Sequence, residues 1–235
     1  VISEGKTILS QTTLSWSSGK DSAWALHTLN QQQPGSVCAL LTTFNDETDR
    51  VAMHAVRRSL VRQQAAALSL PLIEVALPWP CSNAIYEEQF AAAAAAAATR
   101  FGATNIAFGD LFLEDIRNYR ERQCEELGLQ PLFPLWGMPT AELADTMIDG
   151  GLAATITCVD PRQLDPRFVG RTYDHQLLDD LPAHVDPCGE NGEFHTLTWN
   201  SPDFSAPLGV QVTETVERDG FAFADIIATM TGSKA

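Results

Sequence analysis

Paired cysteines are missing from this sequence. Its five cysteines, Cys38, Cys81, Cys124, Cys158 and Cys188, are odd in number, widely spaced and contain no CxxC pair. That excludes a disulfide framework or a zinc knuckle and fits a reducing compartment. Long apolar runs are missing too: none approaches the ~18 to 20 residues that a membrane span requires. Basic charge is scarce, with fifteen Lys and Arg against thirty Asp and Glu and a formal charge of −15. Such a field repels a phosphate backbone unless a local basic patch overcomes it, so nucleic acid is a poor default partner. Val1 to Gln11 lacks the charged start and apolar stretch of a signal peptide, and a soluble, cytoplasmic protein is expected.

What is present alternates. Thr12 to Trp16 reads as a strand, followed by helical spacing from Asp21 to about Gln31 with Ala23, Ala25, Leu26 and Leu29 on the inner face. Strand-like runs recur at Val37 to Thr43, Leu72 to Leu77, Asn105 to Phe108 and Leu129 to Phe133. Helical stretches separate them at about 52 to 69, 83 to 101 and 112 to 127. The alternation predicts an α/β fold with a parallel sheet wrapped by helices. Eight alanines, Ala91 to Ala98, favour helix while adding little bulk, and imply close packing on the sheet. Prolines at 131, 134 and 139 mark a junction. Beyond it come a helix from Thr140 to Asp149, a strand at Ala153 to Val159, an irregular region through 193, and two strands flanking an Arg218-Asp219-Gly220 hairpin turn. The expected division is a nucleotide domain over 1–135 and a smaller α+β, substrate-binding domain over 136–235.

The first strand runs through Ser15 into Trp16-Ser17-Ser18-Gly19-Lys20-Asp21-Ser22, where a helix begins. A strand-loop-helix of this kind turns backbone N–H groups and a helix dipole toward an anion. Hydroxyls of Ser17, Ser18 and Ser22 add donors, Gly19 permits close approach, and Lys20 supplies charge. The loop is not a Walker A motif, which needs Gly at 14 and Ser or Thr at 21, where Leu14 and Asp21 stand. The competing reading is a serine-rich turn that caps a helix.

Ser17 to Ser22 resembles the SGGxDS signature of the PP-loop ATP pyrophosphatases, with Ser18 in place of the first glycine of the pair. In that family the loop holds the pyrophosphate half of ATP while a nucleophile attacks the α-phosphate. Ser18 is tolerable there if its φ is negative. From about Leu14 to Phe204 the chain is similar to the diphthine-ammonia ligase family and its bacterial relatives. The likeness lies in Thr48-Asp49-Arg50-Val51-Ala52-Met53-His54, Phe108-Gly109-Asp110-Leu111-Phe112-Leu113-Glu114-Asp115-Ile116-Arg117, Phe133-Pro134-Leu135-Trp136 and Asp186-Pro187-Cys188-Gly189-Glu190-Asn191-Gly192-Glu193-Phe194-His195-Thr196. No auxiliary C-terminal domain of the eukaryotic kind follows, so the short form is expected. The resemblance implies a Rossmann-like PP-loop domain.

The expected ATP set is Ser15, Ser17, Ser18, Gly19, Lys20, Asp21, Ser22, Thr43, His54 and Gly109. Asp21 and Asp110 are candidate Mg²⁺ ligands, since Mg²⁺ takes one or two carboxylates beside phosphate oxygens; Asp110, just past a strand end, reads alternatively as a helix N-cap. Glu114, Arg117 and Glu121 share a helical face with Arg120 beside them, either as surface ion pairs or as a carboxylate site. His54, Arg58 and Arg62 form a basic stripe if 52 to 69 is helical. Glu190, Asn191, Glu193 and His195 crowd acid-base groups into one glycine-rich segment. Lys20, Asp21, Glu193 and His195 are the expected catalytic residues, with Glu193 or His195 accepting a proton from ammonium; Glu114, Arg117, Arg120, Glu190, Asn191 and Glu193 are the expected substrate contacts. Cys188 reads as structural.

The resemblance implies a ligase that adenylates a carboxylate with ATP and Mg²⁺ and passes it to ammonia, releasing AMP and pyrophosphate. The acid would be diphthine on a translation elongation factor, or a small metabolite, a corrinoid-related acid among the candidates. A nucleotide-binding regulatory module and a tRNA-modifying PP-loop enzyme are the alternatives. A homodimer stays open.

Overall fold

The computed structural model describes residues 10–51 and 54–229. Residues 1–9 of the N-terminal reading, and Ala52 and Met53 of the Thr48–His54 segment, lie outside the described residues. Strand β1 (Gln11–Ser15) is buried along its centre, as expected of a strand covered on both faces of a parallel sheet. It pairs in parallel with β2 (Val37–Asn45) on one side and with β5 (Ala103–Ala107) on the other. Beyond β2 lies parallel β4 (Leu72–Leu77), and beyond β5 lies parallel β6 (Gln130–Leu132). The parallel strands therefore run β4-β2-β1-β5-β6, and the chain reverses direction across the sheet between β1 and β5. Ligands of open α/β sheets sit at such a switch point, off the carboxyl ends of the strands.

Helices α1 (Lys20–Gln32) and α2 (Arg58–Leu68) cover one face of this sheet and share its core with the second sheet. Helices α3 (Asn83–Phe101) and α4 (Glu114–Leu127) cover the other. The alanine run lies on α3, where Phe90, Ala93 and Ala97 press against Ile73, Val75 and Ile106. α4 ends at Gly128, whose φ of 65 lets Leu129 N bond Cys124 O and so closes the last turn. No described helix is long and apolar enough to cross a membrane.

After α5 (Thr140–Asp149) the chain builds an antiparallel sheet, β8-β7-β10-β9, from β7 (Ala153–Val159), β8 (Phe194–Asn200), β9 (Val210–Arg218) and β10 (Phe221–Ala228), with a short helix α6 (His175–Asp180) beside it. Asp219 and Gly220, with φ of 52 and 81, make the two-residue turn between β9 and β10. Two expectations change here. The segment 194–200, which the sequence pattern does not mark as a strand, is β8, and its pairing with β7 contains register shifts. The segment from 54 to 57 is not helical. Instead β3 (Arg50–Val51) pairs with the end of β2 past the point where β1 stops, and Ala55 takes a φ of 54 before α2 starts at Arg58. Arg58 and Arg62 turn to Asp49 and Glu74, as surface ion pairs.

One carboxylate fixes the 50–57 turn. Asp225 of β10 accepts from Arg50 Nη2 at 2.7 Å and from Arg57 at 3.0 and 2.6 Å. Hydrogen bonds from Arg57, reinforced by Arg50, outweigh burial and hold its carboxyl down to about 2. Its stabilisation is present above the ordinary carboxylate pKa and is lost as pH falls through about 2. Asp225→Asn is expected to cost about 2 kcal/mol at pH 7, with the gap to the parent protein narrowing in urea titrations at pH 3.

Candidate active site

The loop between β1 and α1 is organised by its own hydroxyls. Gly19 N donates to Ser17 Oγ at 3.3 Å, Ser17 Oγ to Ser22 Oγ at 3.2 Å, and Ser22 Oγ to Gly19 O at 2.9 Å. Ser18 departs from the expectation of a negative φ. It sits at φ 74, fully buried, and its Oγ meets no hydrogen-bond partner. A side chain in the left-handed region costs ~1–2 kcal/mol, so neighbouring structure must hold it there. Strand β8 supplies part of that hold: Thr198 N donates to Ser18 O at 2.9 Å, and Lys20 N to Thr196 Oγ1 at 3.1 Å. Gly19, with an ordinary φ of −87, is needed for space. A Cβ there would lie 3.2 Å from Thr196 O and 3.3 Å from the His54 ring.

A cavity of about 260 Å³ opens at the α1 N-terminus, and one of about 460 Å³ adjoins it; Ser15, Ser17, His54, Asp110, Arg120, Glu190 and His195 line both. Lys20, Asp21, Ser22 and Gly109 line the first, while Thr43 lines the second with the apolar Leu41, Val51, Phe90 and Ile116. Gly109 is the joint that brings the β5 end to α1, because a Cβ would stand 2.9 Å from the Asp21 carbonyl carbon and 3.0 Å from Ser22 N. Asp110 comes next in the chain and enters the cavity. It is not the helix cap, since α4 starts at Glu114 with Leu113 before it.

Lys20, expected to supply charge at the loop, is already paired. Its ammonium is buried, bonds both Asp21 oxygens at 2.7 and 2.9 Å and the carbonyl of Cys188, and lies over the rings of Tyr173 and Phe194. Burial alone would lower its pKa, but the charge of Asp21 and further carboxylate and thiol groups hold it above the ordinary value. Arg120 is the better-placed guanidinium. It lies 5.0 Å over the Phe108 ring, donates to Tyr86 Oη at 3.0 Å, and keeps a buried Nε without a partner. Arg117 is engaged elsewhere: it bonds Glu121 at 2.7 Å and stacks on Phe133 and Trp136, and neither it nor exposed Glu114 lines a cavity.

Burial raises the Asp110 carboxyl, and the charge of Asp21 raises it further against the pull of Arg120. Glu190, whose Oε1 accepts Leu111 N at 2.8 Å, is pushed up to about 7 by burial, with Asp21 and Asp110 adding to it. No group of three or more His, Cys, Asp or Glu among the described residues is set to hold a metal ion unaided. The all-oxygen pair of Asp21 and Asp110, in which the charge of Asp21 bears on a desolvated Asp110, does fit Mg²⁺ completed by phosphate oxygens. Glu193 and Asn191 do not reach the cavities. Glu193 Oε1 accepts from Asp186 N at 2.9 Å and from Asn191 Nδ2 at 3.0 Å, which shapes the turn that aims Glu190. Burial pushes the Cys188 thiol up to about 12, and Sγ donates to Thr140 O, a structural cysteine.

The rings of His54 and His195 meet at a tilt, with centroids 4.5 Å apart. Burial lowers them to about 4 and about 3, and nearby Lys20 opposes their protonation further. Both are neutral at pH 7, so stability falls as pH drops below about 6.5, where the unfolded chain takes up protons that the folded pair refuses. The slope should approach ~1.4 kcal/mol per pH unit for each histidine. His195→Asn is expected to remove about half of that slope between pH 6 and pH 5 in urea titrations.

The family model described as diphthamide synthase N-terminal domain matches residues 10–131, and the diphthamide synthase C-terminal domain matches 139–228. Among curated proteins, the diphthine–ammonia ligase of Danio rerio is 35% identical over 122 residues, 48% of this chain and 47% of the relative. That of Homo sapiens is 34% identical over 122 residues, 48% of this chain and 45% of the relative. That of Schizosaccharomyces pombe is 31% identical over 101 residues, 41% of this chain and 17% of the relative. The matched stretch spans about half the length of the two vertebrate relatives and less of the yeast one. With the two family models together accounting for most of its length, the chain belongs to the diphthamide synthase family.

Proposed function

We propose that the paired cavities bind ATP and a carboxylic acid, and that the protein is an ATP-dependent ligase that converts the acid into its amide. The observation that carries this reading is the meeting, at the β1/β5 switch point, of a helix N-terminus, the carboxylates of Asp21 and desolvated Asp110, and a guanidinium whose buried Nε has no partner. The apolar cavity beside Thr43 suits the base and ribose, and the α1 N-terminus suits the phosphates. Asp21 and Asp110 would hold Mg²⁺, which would offset phosphate charge when bound. Arg120, with its planar fork and free Nε, suits the carboxylate of the acid.

The chemistry divides into two balanced steps. A carboxylate oxygen bonds to the α-phosphorus as the bond from that phosphorus to the bridging oxygen breaks, and pyrophosphate leaves with the electron pair. Ammonia then attacks the acyl carbon, AMP departs with the carboxylate oxygen, and one proton must leave nitrogen. Glu190, raised to about 7, faces the same cavity and is the base matched to that proton, while His195 lines it as a neutral imidazole. Glu193, bonded to its own turn, is assigned a shaping role. Diphthine, the acid in the relatives' names, is the first candidate substrate.

Purified protein incubated with ATP, Mg²⁺, ammonium and candidate acids is expected to release AMP and pyrophosphate in an acid-dependent manner. ADP as product would overturn the adenylation reading, and ATP binding without any product would leave a nucleotide-binding module. Arg120→Met should lower kcat/KM for the acid about 10- to 100-fold, the loss expected for hydrogen bonds to a charged group.

A further inference from the structure

Gln64 lines neither cavity, yet its side chain is joined to the loop at two points. It lies on α2 with no exposed surface, and its amide is fully used: Oε1 accepts Trp16 Nε1 at 2.9 Å, while Nε2 donates to Ser18 O at 3.0 Å and to Thr198 O at 2.7 Å. A buried amide is tolerated only where its donors and acceptor are met, and here each partner belongs to the loop or to the strand behind it. Ser18 O accepts a second bond, from Thr198 N at 2.9 Å. That oxygen belongs to the peptide joining Ser18 to Gly19. In a planar trans peptide the C=O and N–H point in opposite directions. Pulling Ser18 O toward Gln64 and β8 therefore turns Gly19 N–H the other way, to the side of Ser17 Oγ, which lines the cavity.

We propose that Gln64 is a positioning residue that holds the Ser18–Gly19 peptide with its N–H toward the anion site, in a backbone state that serine would otherwise leave. Ser18 cannot hold itself, because its φ is 74 and its Oγ has no partner. A glycine at position 18 would adopt the same backbone without strain. Gln64 and Ser18 are thus coupled: the amide matters because the residue it grips is not glycine. The value of that grip for catalysis rests on the nucleotide reading above, whereas the grip itself does not.

The test is a double-mutant cycle of Gln64→Met and Ser18→Gly, read by ATP and pyrophosphate affinity and by amide hydrogen exchange at Gly19. Gln64→Met alone is expected to weaken ATP at least tenfold and to speed exchange at Gly19 by a similar factor. In the Ser18→Gly background the same change should cost less than threefold on both measures. A Gln64→Met protein that folds only when Ser18→Gly accompanies it shows the same coupling through stability. Equal losses in the two backgrounds would overturn the proposal, since a residue that only fills space does not sense the neighbouring φ. If the parent protein binds neither ATP nor pyrophosphate, the nucleotide reading falls and the exchange cycle still decides the role of Gln64.

Discussion

The rest of the site depends on a strand of the second sheet reaching under the first turn of α1. Thr196 Oγ1 receives Lys20 N, Thr198 N reaches Ser18 O, and the absent side chain of Gly19 lets the two backbones touch. A strand-to-helix loop in an open α/β sheet is usually thought of as the product of one strand and one helix. Here its shape is set jointly by β1, α2 and β8. A helix N-terminus alone would offer orphan N–H groups to solvent; wedged against β8, this one spends Lys20 N on Thr196 and is held in one fixed arrangement beside Asp21 and Asp110.

Charge in the cavity is governed by the same packing. In a protein of formal charge −15, the pocket wall mixes both signs. Lys20 is committed to Asp21, the two histidines refuse protons, and Glu190 is raised to about 7. Arg120 is the positive group of that wall left with spare hydrogen-bonding capacity, and the Phe108 ring and the Tyr86 hydroxyl beside it hold it in place.

The alternation of strands and helices through residue 133 was legible because period and punctuation agree there, as in the Gly128 stop and the Leu72–Leu77 strand. The switch-point loop was legible from its serines and glycine. What could not be read is what tertiary contact decides. Nothing local in Ser18 announces a positive φ, and a glutamine inside the alanine-flanked stretch of α2 carries no sign that it will bond Trp16 and Thr198. Phe194 to Asn200 alternates too weakly, after a segment rich in glycine, to stand out as a strand. Arg117 and Arg120 look equivalent in sequence; Phe133, Trp136 and Glu121 take one and leave the other.

The buried ammonium of Lys20 has a consequence for how the molecule holds together. Its partners come from both halves of the chain: Asp21 beside it, and the Cys188 carbonyl with the Tyr173 and Phe194 rings from across the junction. Parting the halves would leave the ammonium with Asp21 alone and oblige it to be wetted along with the apolar core that both share. The two sheets are therefore expected to melt as one cooperative unit, and damage far out in the C-terminal sheet should be felt first where the N-terminal helix begins.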